Sequence, residues 1–278
     1  MKRSTAIAAM VFWLAAGTAQ AQVSLSFKLT GGFAYLGGGD LNKGLQGWSD
    51  LWDYAYDVPW IGAMGGYEPV HLGADYGAEI LIGIGSHFRI GLGAGRLAAS
   101  KSSSLDLVQE TGTDKETWNP KIEAVPFSLN AYYVLPAGQI NMMFHLGAAY
   151  YKARYTDTQH VFFAANYEDT YELTGNGIGF QGGLGFDIPL TQWLGFLVEV
   201  DARYAPIGGF KGDYVRRAEG STTSINGKLW LCETAEFPHF PLLLVAETQP
   251  FGSAFGSVTE AKMEFSGVSL TAGFIIRL

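Results

Sequence analysis

The sequence predicts an all-β protein: one eight-stranded antiparallel up-and-down transmembrane β-barrel, with short periplasmic turns and long extracellular loops. Three observations carry this. Eight stripes of 11 residues alternate with period 2, the side-chain period of a strand and the length of about 9 to 11 residues that crosses a bilayer obliquely. The apolar face of these stripes has 48 positions, of which only Arg96 is charged, whereas nine of the 40 interleaved positions are charged. The connections between stripes alternate between short and long, as in outer-membrane barrels.

The first 21 residues are set apart. Lys2 and Arg3 precede an apolar stretch from Ala6 to Ala16, and Ala19-Gln20-Ala21 offers a small-x-small cleavage pattern, so 1–21 reads as a cleaved signal peptide and 22–278 as the barrel. No later run approaches the 18 apolar residues of a membrane helix. The remaining chain has 16 positive and 26 negative side chains, a net of −10, which argues against nucleic acid as a partner. A single cysteine, Cys232, excludes an intrachain disulfide and a cysteine-based zinc site.

The stripes run in order. Leu25 to Tyr35 is the first. Ala74 to Ile84 and Phe88 to Ala98 flank a turn at 85–87, and Val125 to Leu135 and Ile140 to Tyr150 flank a turn at 136–139. Ile178 to Ile188 and Leu194 to Tyr204 flank 189–193, and the chain closes on Val268, Leu270, Ala272, Phe274, Ile276 and Leu278. Phe88, Tyr133, Phe186, Trp193 and Phe274 fall at the short-turn end, and Tyr35, Tyr150 and Tyr204 at the loop end, as two aromatic girdles. Pro126 removes a ladder hydrogen bond, so its strand is expected to begin after it or to bulge. The long loops are 36–73, 99–124, 151–177 and 205–267. In the last, Leu229-Trp230-Leu231 and Leu242 to Val245 read as a hairpin above the membrane, with a ten-stranded barrel as the fallback.

On this pattern the chain resembles the small outer-membrane β-barrels of the OmpA, OmpX and OmpW kind. The likeness spans nearly all of 22–278, and its most specific element is the last stripe, Val268 to Leu278. That stripe looks like the carboxy-terminal insertion signal read by the barrel-assembly machinery in this group, although the group's signal ends in an aromatic residue and this one in Leu278. The resemblance implies an outer-membrane location, lipid as the surrounding partner and the assembly machinery as a partner during biogenesis.

The interleaved face supplies a candidate lumen charge network: Lys28, Asp75, Glu79, Arg89, Asp187, Glu199, Asp201, Arg203 and Arg277, with His145 near mid-height. Four cations nearly balance five anions there. Glu79 and Glu199 are expected to be held by Arg203 and Arg89, closing the lumen to ions, because buried charges must pair. An imidazole with two carboxylates also suits acid-base chemistry. Against closure stand twelve glycines on the same face, which would leave a wet path.

Other motifs carry less. Gly177, Gly179 and Gly182 match G-x-G-x-x-G with Glu199 downstream, but alternation continues and no helix follows to hold a pyrophosphate. His71, Asp75 and Glu79 are spaced by four, about 13 Å between i and i+4 in a strand, too far for one ion. No catalytic residues, cofactor or metal are expected. In the first loop Asp40 reads as the N-cap of a helix carrying Leu41, Leu45, Trp48 and Trp52. Trp48, Trp52, Tyr54, Tyr56 and Trp60 are a candidate aromatic surface, with packing over the barrel mouth as the favoured use. The function read from all this is a non-catalytic membrane scaffold with surface-exposed loops. A narrow passive channel for small solutes or apolar molecules, as in the OmpW group, is the alternative, and a lipid-modifying enzyme comes third.

Overall fold

A computed structural model describes residues 23–56, 62–109, 112–162 and 166–278; residues 1–21, expected to be a signal peptide, and Trp60 lie outside them. In chain order the elements are β1 (Val23–Leu36), α1 (Asp40–Ala55), β2 (Gly62–Gly66), β3 (Leu72–Ile84), β4 (Phe88–Ser100), β5 (Ser103–Gln109), β6 (Gly112–Trp118), β7 (Lys121–Ala137) and β8 (Ile140–Phe162). There follow β9 (Asn166–Pro189), β10 (Leu194–Tyr204), β11 (Pro206–Ala218), β12 (Ser221–Thr234), β13 (Pro241–Ala246), β14 (Phe255–Glu260), β15 (Met263–Glu264) and β16 (Gly267–Arg277).

Eight strands close a ring in the order β1-β3-β4-β7-β8-β9-β10-β16, every pair antiparallel, with β16 returning to β1. This is the eight-stranded barrel, and the ten-stranded fallback is set aside. The ring is inside out relative to a water-soluble barrel. Phe33 is 78% exposed and Leu146 76%, while Lys28, Glu79 and Glu199 on the opposite parity are buried. An outward apolar wall with inward charges is stable only where lipid meets the wall. Both expected girdles face outward, with Phe88, Trp193, Tyr35 and Tyr204 all exposed. Val268, Leu270, Phe274 and Leu278 lie on the same wall.

The four long connections are not loops. The β8 and β9 strands continue together past the membrane segment, paired from Tyr151↔Gly177 up to Phe162↔Asn166. From their upper halves a second sheet grows in the order β13-β12-β11-β9-β8-β6-β5-β2. Among the described residues this path ends at β13 and β2, and α1 packs against both. Two staves are thus shared by two rings: a lower one closed by hydrogen bonds and an upper one closed by a helix. Covering β13 and β2 with α1 also shields two strand edges that would invite aggregation. The interior of this cap is an apolar core of Leu41, Leu45, Leu105, Leu107, Trp118, Tyr155, Leu173, Phe210, Leu243 and their neighbours.

Details differ from expectation in instructive ways. The N-cap of α1 is Gly39, not Asp40; Asp40 sits in the first turn and accepts the Lys262 backbone N–H at 2.9 Å. Gly44 and Gly47, poor helix formers, are where the helix meets β13. A Cβ at Gly47 would lie on the Pro241 carbonyl, and one at Gly44 on the Leu243 side chain. Pro126 neither starts nor bulges its strand: β7 runs through it, and the β4–β7 ladder keeps one register on either side while skipping Gly95 and Arg96. The apolar runs of the last long connection form the β12–β13 hairpin, Leu229↔Val245 to Glu233↔Pro241.

Candidate functional site

The barrel interior is built in layers, because every second residue of eight tilted strands points into one narrow space. At the lower end Arg277 donates to both oxygens of Asp187, at 2.6 and 2.5 Å, and Asn141 donates to Asp187 at 3.2 Å. Above lies an apolar layer of Leu81, Val134, Met143, Leu197 and Ile275, each no more than 2% exposed.

The central layer is ionic. Lys28 Nζ stands 2.9 Å from Glu199 Oε2 and 3.0 Å from Glu79 Oε2, and donates to the Tyr132 hydroxyl at 2.8 Å. Tyr132 in turn donates to Glu79 at 2.5 Å, and Asn130 to the other Glu79 oxygen at 2.8 Å. Gln181 holds Asn130 at 2.9 Å. His145 lies between Glu199 and Asp201, with Nε2 2.9 Å from Asp201 Oδ1. Higher still, Arg203 pairs with Asp75 at 2.9 Å and donates to Ser269 at 2.6 Å, and Ser269 donates to Asp75. A cavity of about 80 Å³ lies among these groups, bordered also by the Tyr151 and Thr271 hydroxyls, which have no hydrogen-bond partner among the described residues. The cap core then covers the top.

The expected pairing of Glu79 and Glu199 with Arg203 and Arg89 is therefore replaced. Lys28 holds both carboxylates, Arg203 belongs to Asp75, and Arg89 bonds to neither, its Nη1 buried without a hydrogen-bond partner among the described residues. The reason is register: Lys28 on β1 is the direct cross-strand partner of Glu79 on β3, and those strands are joined by 35 residues of connection that hide the pairing from sequence. The neutral members Tyr132, Asn130, Gln181 and Ser269 carry no charge to mark them in the sequence. All four lie on the inward parity of their strands.

The glycines have a different use from the one expected. A Cβ at Gly91 would strike the Glu79 carboxylate, at Gly147 the Asn130 amide, and at Gly195 the Asp187–Arg277 pair. These glycines are recesses filled by long polar side chains from neighbouring strands, so the lumen is packed where it reads as empty. The G-x-G-x-x-G run lies within unbroken β9. His71 leaves Asp75 and Glu79 to stack on Tyr35 with ring centroids 4.8 Å apart.

The aromatic surface is divided. Trp48 is half-buried and donates from Nε1 to the Leu243 carbonyl at 3.2 Å, so it is a packing residue. Trp52 and Tyr56 are half-buried against each other. Tyr54 is exposed beside Phe240.

The cap holds a second, unforeseen polar cluster. Asp169 accepts from Arg216 at 2.8 and 2.7 Å and from Tyr214 at 3.0 Å. Asp157 accepts from the Asn119 backbone, Gln159 and Tyr155, yet burial pushes its carboxyl up to about 6. Burial, reinforced by the charges of Asp169 and Asp157, pushes Glu116 up to about 8, and its Oε2 has no hydrogen-bond partner among the described residues. Cys232 is buried in β12, and that burial raises its thiol to about 11. On the cap's flank Asp50, Asp53, Glu68, Ser103, Lys115 and Asn119 line an open polar groove of about 950 Å³.

No family model matches the chain, and none of the curated proteins is similar to it. Among solved structures, the outer membrane protein OprG from Pseudomonas aeruginosa is similar at a TM-score of 0.43 and 13% identity, over 91% of this chain and 95% of that one. The eight-stranded ring itself stands on the hydrogen bonding of this chain.

Proposed function

We propose that this chain is a non-catalytic protein of the bacterial outer membrane, exported by a cleaved leader and inserted by the barrel-assembly machinery. It acts there as a scaffold: the lower ring anchors in lipid and the upper ring presents a folded cap to the outside. The observation that carries this reading is the filled lumen. An apolar layer, a paired ionic layer and the cap core succeed one another along the axis, and the space among the charged groups is only about 80 Å³. An ion crossing it would have to displace Lys28 from two carboxylates and then pass an apolar layer, each costing several kcal/mol. The open polar groove on the cap supports surface binding as the scaffold's use.

Planar-bilayer recording on the folded protein tests this. The scaffold reading expects no steady conductance, and a stable open level in the unmodified protein would replace it with the channel reading. A mass shift of lipid A on expression would instead establish a lipid-modifying enzyme.

A further inference from the structure

The lipid-facing wall carries a groove on one side. Ala78 on β3 and Ala94 on β4 are cross-strand partners, with Leu29 and Phe127 beyond them in the same row. Between larger neighbours these small side chains leave an apolar groove of about 570 Å³, walled also by Phe27, Ile80, Leu92 and Leu129. It reaches from β1 to Ala148 on β8, four strand spacings or about 19 Å, against about 15 Å of hydrocarbon in one leaflet. The inward-facing Lys28 and Glu79 also border it, but they are committed to each other at 3.0 Å.

Cations gather at its upper rim. Arg96, the single charge of the apolar wall, is the next outward residue above Ala94 on β4. Lys152 on β8 has its Nζ 5.7 Å from the centre of the Phe127 ring. Above them Lys121 and Arg154 face outward on β7 and β8. Two carboxylates stand among these four. Glu123 is shared by Arg96 and, at 2.9 Å, by Lys121; Glu172 pairs with Arg154 where both are exposed, an arrangement worth little in water. Lys152 makes no ion pair among the described residues.

The patch therefore has two positive charges in excess, in a chain whose residues 22–278 carry a net of −10. Charges beside it cancel: Lys101 pairs with Glu68 at 2.7 Å, and on β11 Asp213 lies two residues from Lys211. A ligand that fits both halves is an amphiphile, with an acyl chain for the groove and an anion for the rim. Arginine and lysine together select phosphate oxygens. An excess of two charges matches a phosphate monoester, about −1.5 to −2 at neutral pH, better than a singly charged phosphodiester.

We propose, resting on the outer-membrane reading, that this face binds one phosphorylated lipid of the lipid A class. Its phosphate lies among Arg96, Lys121, Lys152 and Arg154, and one acyl chain lies in the groove. Unlike the lipid that merely surrounds the barrel, it stays bound through detergent.

The test folds the full chain into detergent micelles with bisphosphorylated lipid A, with its dephosphorylated counterpart or with phosphatidylglycerol, removes free lipid by gel filtration, and counts bound lipid by native mass spectrometry. The expected result is one lipid A per chain, unmoved by excess inorganic phosphate, with retention of the other two lower by about tenfold or more. The same loss of lipid A is expected in Arg96→Gln/Lys152→Gln, which removes rim charge, and in Ala94→Phe, which fills the groove; Lys101→Gln is expected to retain it. Heat-modifiable migration reports folding. A wild type with no heat-modifiable form in micelles or vesicles fails the membrane reading and the site with it. A folded wild type that retains no lipid A, retains either other lipid equally, or loses lipid A to free phosphate overturns this site alone. So does full retention by the folded variants, or an equal loss in Lys101→Gln.

Discussion

β8 and β9 each live in two environments. In the lower half of β8 the outward residues are Met142, Phe144, Leu146, Ala148 and Tyr150, and in the upper half they are Lys152, Arg154, Thr156, Thr158 and His160. The inward residues are mixed in both halves: Asn141, Met143, His145, Gly147 and Ala149 below, and Tyr151, Ala153, Tyr155, Asp157 and Gln159 above. β9 repeats the exchange, from outward Ile188, Phe186 and Phe180 to outward Thr174, Glu172 and Glu168. The parity never slips along either strand. Backbone geometry sets the period, and the surrounding solvent sets which face is greasy. The upper ring is an ordinary water-soluble sheet grown from a membrane one.

If the rings are separate units of packing, each should break alone. Trp118→Ala empties a fully buried site in the cap core and is expected to cost the upper ring about 3–5 kcal/mol. Limited proteolysis would then cut in β5–β6 while heat-modifiable migration persists. Lys28→Met is the converse, leaving Glu79 and Glu199 without a cation. It is expected to destabilise the lower ring by about 3–5 kcal/mol, read as a lower guanidinium midpoint in detergent, and adding Glu79→Gln should recover part of it.

A smaller effect is confined to the cap. Glu116 and Asp157 have folded values of about 8 and about 6, above their ordinary ones, so the folded cap holds protons that the unfolded cap releases. Its stability is greatest at acidic pH and is lost as pH rises through those folded values, on the order of 3 kcal/mol between pH 6 and pH 8. Tryptophan fluorescence during urea unfolding at the two pH values checks this, and Glu116→Gln should flatten the dependence. The smallest effect is at the seam. Gly47→Ala gains about 1 kcal/mol of helix propensity, but its Cβ lands on a backbone carbonyl of β13. A net loss of about 1–2 kcal/mol is expected, seen as faster hydrogen exchange in α1 and β13.

The lower ring was legible in sequence because lipid imposes one rule on all eight strands. The cap is not, because past Tyr150 and before Ile178 the outward face turns polar and the lipid rule ends. Tyr151, Ala153 and Tyr155 continue the parity with apolar residues inside, and that continuation is the signal of the cap. The members of the lumen network were legible as inward charges; their partners were not. Strand tilt and the long β1–β3 connection decide that Lys28, not Arg89 or Arg203, reaches Glu79 and Glu199. Nor does period alone show that a glycine is a recess: Gly91 and Gly147 acquire meaning only from the side chains of the strands beside them.

The most direct test of the two-ring account is a spin-label scan of outward positions 144, 148, 152, 156 and 160 on β8 in lipid vesicles. The account predicts that 144 and 148 are relaxed by oxygen, whereas 152, 156 and 160 are relaxed by a water-soluble nickel chelate, with one crossover near Tyr150. Oxygen-dominated relaxation continuing to 160, or water access at 144, would contradict it.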